Sequence, residues 1–189
     1  MKQAPVLTER DTKRVLQHVA RGSFPERNRL MLMLSWLAGM RIGEIAALEI
    51  SDVLKADGGV RDEIQLSAAQ TKGRSARTVL INSQLKSEIA LYIARADMKP
   101  SAKPLFASKT GKAFSANGLC QRVLQLYDAA GVDRATTHSG RRTFCTRLAE
   151  RGTAIHIIAA LAGHRNVATT MVYLTANETM MRAAVEMSG

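Results

Sequence analysis

The ten residues from Leu30 to Gly39 (LMLMLSWLAG) form the most apolar run in the chain, and their number limits what they can become. A helix that crosses a bilayer needs about 20 such residues, so this run is only about half of a span. Leu30, Leu34 and Leu37 fall on one face at helical spacing, Pro25 can open the helix, and Gly39 can stop it. The spacing therefore predicts a core helix, with Trp36 inside the core.

The rest of the chain reads as helices arranged around one short β region. Thr8 followed by Asp11 is a helix start, and Arg10 to Ala20 continues it. A third helix is expected from Arg41 to Leu48. Between Val53 and Asn82 the period changes from helical to alternating. Ile64 and Leu66 alternate with polar neighbours, as do Val79 and Ile81, with turns at Asp57-Gly58-Gly59 and Lys72-Gly73. These predict a small antiparallel sheet of two or three strands. Ser83 to Ala96 returns to helical spacing through Leu85, Ile89 and Ile93, and Pro100 to Gly111 reads as a loop around Leu105-Phe106. Helices are expected near Ser115–Ala130, His138–Arg151, Thr153–Leu161 and Val167–Tyr173, then a methionine-bearing terminal helix after Asn177. The fold class is mainly α with a small antiparallel sheet, α+β, in one domain over residues 1–176 with a tail at 177–189.

Charge narrows the partners. Lysine and arginine number 27 against 16 acids, a formal charge of +11, so a polyanion is the natural counterpart. Aromatic residues are only 4% of the chain, too few to stack successive bases of a single strand, so double-stranded DNA held through its phosphates fits better. Met1 to Arg14 shows no signal peptide, and no membrane partner is expected. Cys120 and Cys145 form no CxxC pair and read as small core residues in a reducing cytoplasm.

Taken one at a time, the polar candidates have ordinary explanations. Arg41 is a surface arginine that can pair with Glu44, His138-x-x-Arg141 is a common pattern, Gly163-His164 ends a helix, and Tyr173 is a packing residue. Their combination and order are far more specific. Ala38-Gly-Met-Arg41-Ile-Gly-Glu44, Lys72 in a turn, His138-x-x-Arg141, and Leu161-Ala-Gly-His164 with Tyr173 nine positions later resemble the tyrosine recombinase (phage integrase) family. The likeness runs from about Leu7 to Ala176.

That resemblance implies the tyrosine recombinase catalytic-domain fold and site-specific cutting and rejoining of double-stranded DNA through a 3′-phosphotyrosine. It implies that Tyr173 is the nucleophile, that Arg41 and Arg141 hold the non-bridging phosphate oxygens, and that His138 takes the phenol proton. His164 would donate to the phosphate, and Lys72 would protonate the departing 5′ oxygen. Forked guanidinium groups suit phosphate, and a phenol with a pKa of about 10 needs help with its proton. Glu44 is expected to buttress Arg41, while Arg74, Arg77 and Arg142 are expected either to touch neighbouring phosphates or to be solvated charges. No cofactor or metal is implied, and the sequence has neither a Walker-type loop nor a carboxylate cluster spaced for two metals. His18 and His156 match no family position and read as helix-surface residues.

Two small departures from the family pattern appear, at three residues. Gly140 and Arg142 stand where leucine and histidine are common, and Ala162 precedes the Gly-His pair where leucine is common. The N-terminal core-binding domain of long recombinases is expected to be absent, leaving a naturally short enzyme or a fragment. The resemblance further implies a homotetramer on DNA and a monomer without it, with the segment after Asn177 docking on a neighbour. The helix opening at Ser115 is the candidate for base readout. The alternatives are relaxation of DNA like a type IB topoisomerase, or a regulator that binds DNA without cutting it.

Overall fold

The computed structural model describes residues 3–71, 74–171, 181–182 and 185–186. The apolar run becomes the central helix. Helix α1 covers Glu9–Ala20 and α2 covers Pro25–Ala38, and α2 packs against α1, α5 (Ser83–Arg95) and α7 (Ser139–Glu150). Leu30, Met31, Leu32 and Leu34 are almost wholly removed from solvent, and Trp36 joins them. The Trp36 indole donates to the Tyr127 hydroxyl at 3.0 Å, tying α2 to α6 (Ala116–Ala129). The bond satisfies two buried polar groups that would otherwise be costly inside a core.

Local signals explain most of the boundaries. Thr8 caps α1 by accepting from the Asp11 amide, and the Asp11 carboxylate accepts from the Thr8 amide in return. Asn82 and Ser115 cap α5 and α6 with their side chains alone, accepting from the Leu85 and Gly118 amides. Gly39 ends α2 at a φ of +61°, which glycine adopts without penalty. The expected third helix is shorter than its pattern suggested. It is α3 (Ile42–Ala46), and a separate helix α4 (Ile50–Val53) follows beyond Leu48, opened by the Glu49 amide on Asp52.

The sheet has two strands among the described residues, β1 (Glu63–Leu66) and β2 (Arg77–Leu80), paired antiparallel with Ile64 opposite Val79. Gly58 makes the expected turn at a φ of +85°, flanked by an isolated bridge between Leu54 and Val60. A 3-10 turn at Ala68–Gln70 follows β1. Lys72 and Gly73, expected to form the hairpin turn, lie outside the described residues.

Helices α7 and α8 (Ile155–Ala162) make a second, smaller apolar cluster of Cys145, Ala149, Ile158 and Ala162. The short α9 (Val167–Met171) leans on α8. Gly140 explains one departure from the family pattern. A Cβ there would meet Ser35 Oγ and Trp36 Cδ1 at 2.5 Å, so α7 crosses α2 too closely for the usual leucine. The N-terminal segment lies across α7, where the Leu7 amide donates to Thr143 and Arg142 donates to the Ala4 carbonyl. Among the described residues, no helix is long and apolar enough to cross a membrane. The expected tail falls mostly outside them. Of its residues, Met181 and Val185 are exposed.

Candidate active site

The end of α8 organises the site. Gly163 terminates this helix in the left-handed region at a φ of +63°, and the last carbonyls are left without helical partners. Three consecutive ones are taken by three different arginines. Leu161 O accepts from Arg77 Nη1 at 3.1 Å, Ala162 O accepts from Arg141 Nη2, and Gly163 O accepts from Arg41 Nη2 at 3.0 Å. A helix C-terminus carries partial negative charge, so cations gather there favourably. Three guanidinium groups far apart in sequence are thereby brought to one point.

Glu44 is the carboxylate that makes this crowding tolerable. It is 1% exposed and lies on α3, one turn after Arg41. Its Oε1 accepts from Arg41 Nη1 at 2.7 Å, and its Oε2 accepts from the Arg41 amide at 2.9 Å. Arg77 adds Nη2 on Oε2 at 2.7 Å and Nε on Oε1 at 3.3 Å. Burial alone would raise the Glu44 carboxyl, but the Arg77 and Arg41 contacts outweigh it and hold the group below the usual carboxylate value. Three arginines against one glutamate leave the cluster net positive.

Arg141 sits deepest. It is 3% exposed, and its Nη1 donates to Gly39 O at 2.6 Å while Nη2 reaches Ala162 O. Gly39 must be glycine for a second reason, since a Cβ there would meet the Phe144 ring at 2.5 Å. Burial, then the nearby Arg41 and Arg77 charges, lower Arg141 to about 10, which leaves it cationic at neutral pH.

His164 follows Gly163 directly and is half-buried. Its Nδ1 lies 2.8 Å from Thr170 Oγ1 on α9. Burial, followed by Arg141, Arg41 and Arg77, pushes its pKa down to about 4, so the ring is neutral at pH 7. A cleft of about 560 Å³ opens over this arrangement, lined by Arg41, Thr71, Ser75, Arg77, His164 and Asn166 among others.

The expected site residues divide into three groups. Arg41, Arg141 and His164 converge, and Glu44 is hydrogen-bonded to Arg41. His138 is exposed at the N-terminus of α7, three residues ahead of Arg141, and is not among the residues lining the cleft. Lys72 and Tyr173 lie outside the described residues. The described part of α9 reaches Met171, two positions before Tyr173. Of the arginines expected at neighbouring phosphates, Arg74 is exposed with a φ of +49°, and Arg142 is partly buried against the Ala4 carbonyl. Arg77 belongs to the centre. The signal for it was in the strand: Arg77 and Val79 are two residues apart and share the inward face of β2, so a charge there needs a buried partner. Thr170 also went unremarked in the sequence. His156 is exposed and His18 is half-buried, as helix-surface residues should be.

A net-positive cleft closed at its base by a helix end, with a neutral histidine at its rim, suits an anion. The profile of the phage integrase family matches residues 5–180. The chain belongs to the phage integrase family. It is 29% identical over 167 residues to tyrosine recombinase XerD of Halalkalibacterium halodurans, covering 86% of this chain and 54% of the relative. It is 28% identical over 180 residues to tyrosine recombinase XerA of Pyrococcus furiosus, covering 95% of this chain and 60% of the relative. The chain thus spans little more than half the length of these curated relatives. The fold matches the crystal structure of XerA recombinase with a TM-score of 0.78 at 25% identity, covering 100% of this chain and 66% of that one. It also matches XerH site-specific recombinase bound to its difH substrate, with a TM-score of 0.72 at 20% identity, covering 95% of this chain and 51% of that one. The architecture is therefore that of a tyrosine recombinase catalytic domain.

Proposed function

We propose that this chain cuts and rejoins double-stranded DNA in site-specific recombination, with Tyr173 as the nucleophile. The observation that carries the reading is the convergence of Arg41, Arg77 and Arg141 on the last carbonyls of α8, beneath a cleft that His164 lines. Attack on a phosphodiester builds negative charge on the non-bridging oxygens, and preorganised cationic donors stabilise that charge most where water is excluded.

In this reading the Tyr173 oxygen bonds to phosphorus as the bond from phosphorus to the 5′ oxygen breaks. His138 accepts the phenol proton, and Lys72 gives a proton to the 5′ oxygen. Arg41 and Arg141 hold the phosphate, His164 donates to it, and Glu44 keeps Arg41 in place. The 3′-phosphotyrosine retains the energy of the broken ester, so attack by a 5′-hydroxyl reverses each transfer and reseals the strand. Each arginine contributes on the order of 10² to 10³ in rate. The active assembly on DNA is a homotetramer of protomers that are monomeric alone, and the segment after Asn177 joins neighbours.

The test uses a nicked suicide duplex carrying the target site and looks for protein attached to DNA in a denaturing gel. An adduct with the wild type, lost in Tyr173→Phe, together with joint recombinant products supports the reading. DNA binding without an adduct would make the chain a non-cleaving binder. Supercoil relaxation without joint products would make it a topoisomerase.

A further inference from the structure

Thr170 has no part in the mechanism above, yet it is a polar residue with 0% exposure, placed against a histidine that lines the cleft. Its hydroxyl lies 2.8 Å from His164 Nδ1. A threonine inside a helix usually returns its hydroxyl proton to the carbonyl three or four residues back, as Thr143 does to Ser139 O at 2.8 Å and Thr12 does to Glu9 O at 2.9 Å. Among the described residues Thr170 is bonded to His164 instead.

We propose that Thr170 is a positioning residue that donates its hydroxyl hydrogen to Nδ1 of His164, thereby fixing the proton of the neutral ring on Nε2. The inference rests on the reading in which His164 donates to the phosphate. A neutral imidazole carries one N–H and one lone pair, and only the tautomer with hydrogen on Nε2 can accept at Nδ1 and donate from its other edge. Were Nδ1 protonated, the ring would offer a lone pair to an anion and repel it. Burial, together with the three guanidinium charges beside the ring, keeps it neutral, so the choice of tautomer decides whether it donates at all. The same bond fastens α9 to the end of α8, ahead of the segment that carries Tyr173.

The roles of the two partners follow from what each can supply. The hydroxyl can donate or accept, whereas a ring protonated on Nε2 leaves Nδ1 only a lone pair. Replacing Thr170 by valine keeps the shape of the side chain and removes the hydroxyl, and replacing it by serine keeps the hydroxyl.

The test has two arms on the full chain. In the first, 15N NMR of the His164 ring, assigned by His164→Gln, reads the tautomer without DNA. The expected result is an unprotonated Nδ1 and a protonated Nε2 in the wild type and in Thr170→Ser, with a mixture or reversal in Thr170→Val. A wild type protonated on Nδ1, or a wild-type tautomer in Thr170→Val, overturns the proposal. In the second arm, single-turnover cleavage of the suicide duplex should fall on the order of 10-fold in Thr170→Val and recover in Thr170→Ser, with DNA affinity unchanged. Equal cleavage by the valine and wild-type proteins also overturns it. If the wild type makes no adduct at all, the catalytic reading fails, while the first arm still decides the tautomer.

Discussion

The Arg77 guanidinium grips the Glu44 carboxylate through Nη2 at 2.7 Å and Nε at 3.3 Å, across 33 residues of sequence. This pair joins β2 to α3, and its other consequence is that Arg41 and Arg77, two like charges, share one buried counter-ion.

Glu44→Gln should therefore cost about 2–4 kcal/mol, because two partly buried cations lose their carboxylate. Urea denaturation at pH 7 measures it, and an unchanged midpoint would contradict the pairing. The folded-state pKa of Glu44 lies below its ordinary 4.5. Its contribution is thus complete above that value and is lost as pH falls through the lowered one. The glutamine variant should lack this part of the acid loss.

His164 should titrate near 4 in the free protein, against an ordinary 6.5. The native ring resists the proton, so its contribution to stability is full above pH 6.5 and declines as pH falls towards 4. An anion in the cleft offsets the arginine field, so target DNA should move the ring upward. NMR titration with and without duplex checks both statements. A ring that titrates near 6.5 in the free protein would show that neither burial nor the arginine field acts on it.

Arg74 and Arg77 should separate cleanly. If exposed Arg74 touches a phosphate, Arg74→Gln lowers the slope of log affinity against log salt by about 1 and leaves Tm unchanged. Arg77→Gln should lower Tm, since it leaves the Leu161 carbonyl and half of the Glu44 pairing unmet. Identical profiles for the two variants would argue against the distinction.

Gly140→Leu restores the residue common in the family and should be strongly destabilising, by about 3 kcal/mol or more, because Trp36 and Ser35 occupy that volume. Combining it with Trp36→Ala should recover part of the loss, a coupling that a double-mutant cycle reads directly. Strict additivity would mean that the two side chains do not compete.

The elements that were legible in the sequence are those with local causes. The Thr8–Asp11 box, the Gly39 stop and the Leu85, Ile89, Ile93 face each need only a few adjacent residues, and each appears as expected. Helix α4 was hidden because four residues are too few to display a helical period, and the Asp52 carboxylate accepting from the Glu49 amide sets its start. Arg41, Arg141 and His164 were recognised by order along the chain, which carries no distances. Arg77 and Thr170 have partners 33 and 6 residues away, chosen by how β2 and α9 pack, and no local pattern specifies that packing.

The three carbonyls at the end of α8 have one more consequence. Backbone oxygens and the Glu44 carboxylate already sit where guanidinium hydrogens point, so the like charges are assembled within the fold itself. In the proposed reading, an arriving phosphate would find those cations already gathered. The work of gathering those cations was done when the polypeptide folded, and no later encounter has to repeat it.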